Sequence, residues 1–215
     1  MTPRDSKASP QSAVYALLLA AGKGHRFGGE KLLVPFHGRP LLQPVLDAIG
    51  SARSQGWLSG GVAVCSSGSV ATLVEKSGVL VELNHDPDAG LSHSLRLGLT
   101  ALANPNLVPQ PTAALIILGD QPELSVEAIR ALVLAGRNGP QPIVRPRYLE
   151  RPEAPGHPVL LDRAHWALAD ELSGDTGLGP LLRARAQLVT TIDLPGRNRD
   201  IDTTADLQAL DRMQP

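Results

Sequence analysis

The 215-residue chain sets 20 lysines and arginines against 21 aspartates and glutamates, a net charge of −1, which leaves no basic footprint for nucleic acid. No run approaches the roughly 18 apolar residues that a membrane-spanning helix needs. A single cysteine, Cys65, leaves no internal disulfide and fits a reducing, cytoplasmic compartment.

The first twelve residues are polar, contain prolines and lack an apolar signal core, so residues 1–12 are expected to be a flexible tail ahead of one domain spanning 13–215. With 42% hydrophobic residues and only 3% aromatics, that domain must build its core from Leu, Val, Ile and Ala. The apolar run at 14–19 reads as a buried strand. Residues 40–49 read as a helix entered at Pro40, with Leu41, Leu42, Val45, Leu46 and Ile49 at helical spacing. Strands follow at 61–65, which places Cys65 at a strand end, and at 79–83, with a helix at 69–77 between them. A helix at 92–103 carries Leu95, Leu99 and Leu102 on one face and takes Ser92 as its cap. The continuous apolar run 113–118 has the character of a central parallel strand buried on both faces. A helix capped by Ser125 covers 125–135, and a strand begins at 143. The proline-, Arg- and Glu-rich stretch 148–158 breaks the rhythm and reads as an excursion from the sheet. Helical segments at 163–172 and 179–186, a strand at 188–194 and a closing helix at 203–210, with Thr203 as a possible cap, complete the chain. Alternating strands and helices imply an α/β three-layer sandwich around a mainly parallel sheet with a small insertion.

The most informative stretch is LLAAGKGHRFGGEK at 18–31. A buried strand empties into a loop with Gly22, Gly24, Gly28 and Gly29, which let backbone N–H groups approach an anion. Lys23, Arg26 and Lys31 add charge where a triphosphate would sit. The loop is not a P-loop, because Glu30 stands where the lysine after the second glycine should be. Nor is it a dinucleotide fingerprint, because Phe27 stands where the third glycine should be.

Leu118-Gly119-Asp120-Gln121-Pro122 directly follows the 113–118 strand. A carboxylate at the end of a buried strand calls for a partner, and a hard cation such as Mg²⁺, which takes one or two carboxylates plus substrate phosphates, is a natural one. Asp200-Ile201-Asp202-Thr203 places two carboxylates on the same side of an extended chain; either is a candidate second metal ligand, the other a helix cap. Residues 84–96 form a polar loop entering a helix, where Ser92, Ser94 and free N–H groups could receive a base edge or an anion. His157, between glycine and proline in the excursion, is placed toward a cleft, and Gly174-Asp175-Thr176-Gly177 follows it in the chain.

These segments, in this order, resemble the nucleotidyltransferase superfamily and, more narrowly, the molybdenum-cofactor nucleotidyltransferases of the cytidylyltransferase branch. Leu19 to Gly28 together with Lys31 match the pattern L-A-A-G-x-G-x-R-[FM]-G-x-x-K; the likeness runs from about residue 13 to 210. It implies a Rossmann-like nucleotidyltransferase fold and transfer of CMP from CTP to a molybdopterin-type molybdenum cofactor, with release of pyrophosphate and with Mg²⁺ as the metal. Carried onto this chain, Arg26, Lys31 and Asp120 become the catalytic set. Leu19, Ala20, Ala21, Gly22, Gly24, Ser92 and Gly119 join them around the nucleotide. Gln121, Pro122, His157 and Asp175 line the acceptor side, and Asp120 and Asp202 hold the metal. In that family Ala-Ala-Gly, here Ala20-Ala21-Gly22, accompanies CTP. One departure stands out. Where the family often reads Gly-Asp-x-Gly-Ala-Arg, this chain has Gly174-Asp175-Thr176-Gly177-Leu178-Gly179, with Arg183 or Arg185 left to replace the missing arginine. The alternatives are GTP as donor, a sugar phosphate as acceptor, or a non-catalytic carrier that hands the molybdenum cofactor to a recipient molybdoenzyme.

Overall fold

The computed structural model describes residues 12–22, 27, 30–153 and 156–211. The expected tail therefore lies almost wholly outside the described residues, as do Lys23, Gly24, His25, Arg26, Gly28 and Gly29. The apolar run after the N-terminus forms β1 (Val14–Ala20), buried at every position. Its period-two pattern feeds two cores at once. Val14, Ala16, Leu18 and Ala20 face one layer, while Tyr15, Leu17 and Leu19 face the other.

The first layer holds α1 (Gln43–Ser54), α2 (Gly68–Lys76) and α4 (Val126–Asn138), through residues such as Ile49, Val74 and Ile129. The second holds α3 (Leu91–Leu102) and α5 (Leu178–Ala184), through Leu95, Leu99, Leu181 and Leu182. Between them, β4 (Gly60–Cys65), β5 (Leu80–Leu83), β6 (Ala113–Leu118), β7 (Ile143–Tyr148), β8 (Val159–Asp162) and β9 (Val189–Leu194) join β1 in the order β5-β4-β1-β6-β8-β7-β9. All neighbouring pairs are parallel except those made by β8, which runs against both β6 and β7. The sheet is thus the mainly parallel three-layer α/β sandwich expected. The chain leaves β1 toward β4 and β5, then returns to β6 on β1's other flank. The crevice beyond the carboxyl ends of β1 and β6 is the point where strand order reverses, the usual ligand position in open α/β sheets.

Three local readings change. Pro40 does not open a helix. It pairs in a small hairpin of β2 (Pro35–Phe36) with β3 (Arg39–Pro40), and the helix begins at Gln43 with Pro44 in its first turn. Two-residue strands are too short to show a period. The 148–158 excursion does leave the sheet, but the chain re-enters it immediately as β8, which the Gly156-His157-Pro158 motif had masked. The segment Arg163–Glu171 is 3-10 rather than α-helical. The closing helix, α6 (Thr204–Asp211), has Thr203 and Asp206 in a reciprocal cap: Asp206 N–H donates to Thr203 Oγ1, and Thr203 N–H donates to the Asp206 carboxylate.

Candidate active site

A cleft of about 400 Å³ opens at that switch point, within the range of small-ligand sites. Its floor is the end of β1: Leu19, Ala20, Ala21 and Gly22 all line it. Backbone stitching fixes this floor. Gly119 N–H donates to Leu19 O at 3.0 Å and Ser66 Oγ to Ala21 O at 3.0 Å. Ser67 Oγ, just after β4, bonds Glu30 on the far side of the loop. Gly119 is needed for packing, since a Cβ there would press on Leu42, Leu32 and the Leu19 carbonyl at 3.2–3.3 Å. At Gly22 nothing of the described residues lies within 4 Å of that position, and Gly22 lines the cleft.

Lys31 leads from the short turn after the loop into the centre of the site. Its Nζ lies 2.8 Å from Asp120 Oδ2 and 3.2 Å from Asp202 Oδ1, with only 11% of the side chain exposed. Burial alone would push the lysine pKa down. The two carboxylates outweigh it and hold the pKa above the ordinary value. Asp200 stands alongside and also lines the cleft. Desolvation of its carboxyl and the charges of Asp120 and Asp202 raise its pKa, against a hydrogen bond from Gln121. Two carboxylates therefore share one lysine, with a third, Asp200, beside them. Among the described residues no three His, Cys, Asp or Glu side chains form a ready-made metal cage. Yet Asp120 and Asp202 already share one cation, the Lys31 ammonium, so their hard oxygen donors fit a divalent ion completed by substrate phosphates.

The 195–202 segment that carries Asp200 and Asp202 is fastened by side chains. Glu123 accepts from Arg197 Nε at 2.8 Å and Arg199 Nε at 3.2 Å. Gln121, 4% exposed, receives Asn198 Nδ2 at 2.9 Å and donates to Asp200 Oδ1 at 2.8 Å. Ile201 N–H donates to Asp120 O at 3.0 Å. Both polar atoms of Gln121 thus have protein partners, and Pro122 is buried away from the cleft. These two residues brace the site where the sequence had placed them on the acceptor side. Glu123 and Asn198 went unnoticed; the acidic residue after Gly119-Asp120-Gln121-Pro122 and the Arg-Asn-Arg run at 197–199 were the signal.

The opposite wall comes from the loop before α3. Gly90, at φ +89°, is its N-cap residue. A side chain there would also collide with the backbone of Gly174 and Asp175, so glycine is required twice over. Ser92 N–H donates to Gly174 O at 3.1 Å. Ser92 is therefore not the cap. It lies within α3, wholly buried, with its hydroxyl unpartnered and away from the cleft. Ser94, bonded by Asn84 Nδ2 at 3.0 Å, lines the cleft in its place, as does Asp175. His157 lies toward β7. Burial lowers its pKa, against an opposing effect of the Ile116 backbone. Nδ1 is enclosed without a partner, and the residue's carbonyl is held by Tyr148 Oη at 3.1 Å and Asn198 Nδ2 at 3.2 Å. Gly24 and Arg26 lie outside the described residues.

A parallel-sheet switch point lined by Gly22, with a lysine straddling two aspartates, is a setting that suits a nucleotide-handling α/β protein. The chain belongs to the family of MobA-like NTP transferase domains, which matches residues 16–191, and is a nucleotidyltransferase of that family. It is 31% identical over 211 residues to nicotine blue oxidoreductase of Paenarthrobacter nicotinovorans, covering 92% of this chain and 96% of that protein. Its fold is shared with the Rv0371c homologue of Mycobacterium sp. strain JC1, at TM-score 0.77 and 27% identity over 94% of this chain and 97% of that one. It is likewise shared with Rv0371c of Mycobacterium tuberculosis H37Rv, seen in complex with manganese, at TM-score 0.74 and 24% identity over 94% of this chain and 100% of that one.

Proposed function

We propose that this protein transfers CMP from CTP to the terminal phosphate of a molybdopterin-type molybdenum cofactor, releasing pyrophosphate. The carrying observation is the Lys31–Asp120–Asp202 cluster in the cleft beyond the carboxyl ends of β1 and β6. The acceptor's phosphate oxygen attacks the α-phosphorus of CTP in line. The new P–O bond forms as the bond to the β-phosphate oxygen breaks, and pyrophosphate leaves with the electron pair. No protein nucleophile is needed, because the attacking oxygen is already anionic. Asp120 and Asp202 would hold Mg²⁺, which supplies charge neutralisation between phosphates. Lys31, kept cationic by those same aspartates, offsets charge on the transferring group. The Ala20–Gly22 backbone lies where the nucleotide would pass, and the resemblance adds Gly24 and Arg26 to the triphosphate side and cytosine to the base side. Asp175 and His157 fall on the acceptor side.

The test is pyrophosphate release from purified protein, Mg²⁺ and molybdenum cofactor with each NTP in turn. Release with CTP and not GTP is expected. Release with GTP would reassign the donor, and silence beside retained CTP binding would reassign the acceptor. The relative named nicotine blue oxidoreductase supports a second reading, a redox reaction on a flat heteroaromatic. Consumption of a reduced nicotinamide with nicotine blue, in the absence of any NTP, would favour it.

A further inference from the structure

Besides the two cores that sandwich the sheet, a third and much smaller one is built around the residue between the site's two aspartates. Its buried members are Phe36 of β2, Leu41 just after β3, Ile201, and Leu210 of α6, with Phe27 and Leu207 packed against them. Ile201 is the residue between Asp200 and Asp202; it is 1% exposed and Leu210 is 0% exposed. Phe27 belongs to the loop that links β1 to Lys31, so the cluster joins that loop to the segment carrying the aspartates. α6 grips this segment a second time through its backbone. The Asp206 carboxylate accepts the N–H of Asp202 at 3.2 Å and the N–H of Thr203 at 2.8 Å. The Asp202 carboxylate itself is 53% exposed and reaches Lys31 at 3.2 Å. An ion pair so exposed fixes a side chain only weakly. The position of Asp202 is therefore set by what holds its backbone, and that is α6.

We infer that Leu210 of α6 and Phe27 are positioning residues of the site: through the cluster they share, they hold Asp202 and the loop after β1 in register with Lys31 and Asp120. The inference rests on the transferase reading and deepens it, because in-line transfer loses rate steeply when reacting groups are misplaced by even an ångström. None of the six cluster residues lines the cleft, so truncating one changes the geometry of the site rather than a contact with its ligand. A cluster that served stability alone would lower the melting temperature when truncated and leave metal binding and turnover as they were.

The experiment compares Leu210→Ala and Phe27→Ala with the unmodified full chain in two assays. One titrates Mn²⁺, followed by water-proton relaxation, with and without CTP. The other measures pyrophosphate release with Mg²⁺, CTP and molybdenum cofactor. Each variant should weaken Mn²⁺ binding about tenfold and lower kcat about ten- to a hundredfold, while CTP affinity measured without metal stays within about threefold. The double variant should lose less than the two losses combined, although residues 27 and 210 stand at opposite ends of the chain. Leu210→Met, which refills the space, should restore most of both readouts. Val133→Ala is the control. It truncates the first core beside the small pocket lined by Ser12 and Thr112, at the opposite ends of β1 and β6, and should lower the melting temperature without moving either readout. Wild-type Mn²⁺ affinity and kcat in Leu210→Ala would overturn the proposal. Equal losses in Val133→Ala would overturn it too, by reducing the cluster to general stability. If Leu210→Ala unfolds the chain, Phe27→Ala decides alone, since Phe27 is only half-buried. No release by the unmodified chain would count against the transferase reading alone, because the Mn²⁺ titration still reads the cluster.

Discussion

On the β5-β4-β1-β6 side of the molecule the strands are all parallel, and the site is shaped by backbone. Gly119 N–H meets Leu19 O, Ser66 holds the Ala21 carbonyl, and the ends of β1 and β6 lie in register from Val14↔Ala113 to Leu19↔Leu118. On the β8-β7-β9 side one strand is reversed, and the site is shaped by side chains. Glu123 clasps Arg197 and Arg199, and Gln121 bridges Asn198 to Asp200. Backbone geometry survives most substitutions, whereas a side-chain clasp is undone by one. The first half should thus tolerate substitution around the site, and the second should not.

The largest expected effect falls where the halves meet. Asp120→Ala removes one of the two carboxylates around Lys31 and a proposed metal ligand, and pyrophosphate release should fall by about a thousandfold or more. Fold and melting temperature should change little, since Asp202 still pairs with Lys31. A variant retaining activity within tenfold would show that the chemistry is not centred on this cluster.

Next is Gly90→Ala, at the seam where the α3 loop meets the Gly174-Asp175 turn. The φ of +89° and the collision with that turn should together cost about 3 kcal/mol in urea unfolding. Nucleotide affinity should weaken in step as the wall retracts. A loss of stability with the cleft's affinity intact would uncouple the α3 loop from the site.

How far the sequence carries the reader follows the same division. The apolar runs 14–19, 61–65 and 113–118 correspond almost residue for residue to β1, β4 and β6, because a strand buried on both faces must be continuously apolar. Lys31, Asp120 and Asp202 were all legible, and they converge. The other half was not. β8 is four residues preceded by Gly156-His157-Pro158, a motif that reads as loop, and its antiparallel pairing is dictated by β6 and β7 rather than by its own pattern. Ser92 looked like a cap because serine favours caps. The cap was Gly90, selected by a contact 84 residues downstream that no local rule contains. Glu123 and the Arg-Asn-Arg run were each visible, but their pairing was not, because it joins residue 123 to residues 197 and 199.

Glu123→Gln sharpens the contrast from the side-chain half. Its carboxylate is 11% exposed and serves two guanidiniums, so about 2 kcal/mol of stability should go. Amide exchange at Ile201, whose N–H reaches Asp120 O across the same seam, should quicken. Exchange at Leu17 and Leu18 in β1 should not, because nothing in that strand depends on the clasp.

The last effect, confined to alkaline pH, tests the backbone half. Cys65 is fully buried at the end of β4, and burial first, then the charge of Glu75, pushes its thiol up to about 11 from the ordinary 9.0. The folded chain therefore keeps the proton over a range where the unfolded chain releases it. The stability tied to this thiol is intact below about pH 9 and is lost as pH climbs toward 11, by up to about 2 to 3 kcal/mol. Cys65→Ala should flatten that part of the alkaline stability curve while leaving the neutral plateau lower by the value of the lost packing. Alkylation should follow the same logic, with Cys65 inert at pH 8 in the folded chain and reactive once urea opens the sheet. A thiol that reacts at pH 8 without unfolding would mean that β4 parts from β1 readily, and that the half of the molecule held by backbone is the looser one.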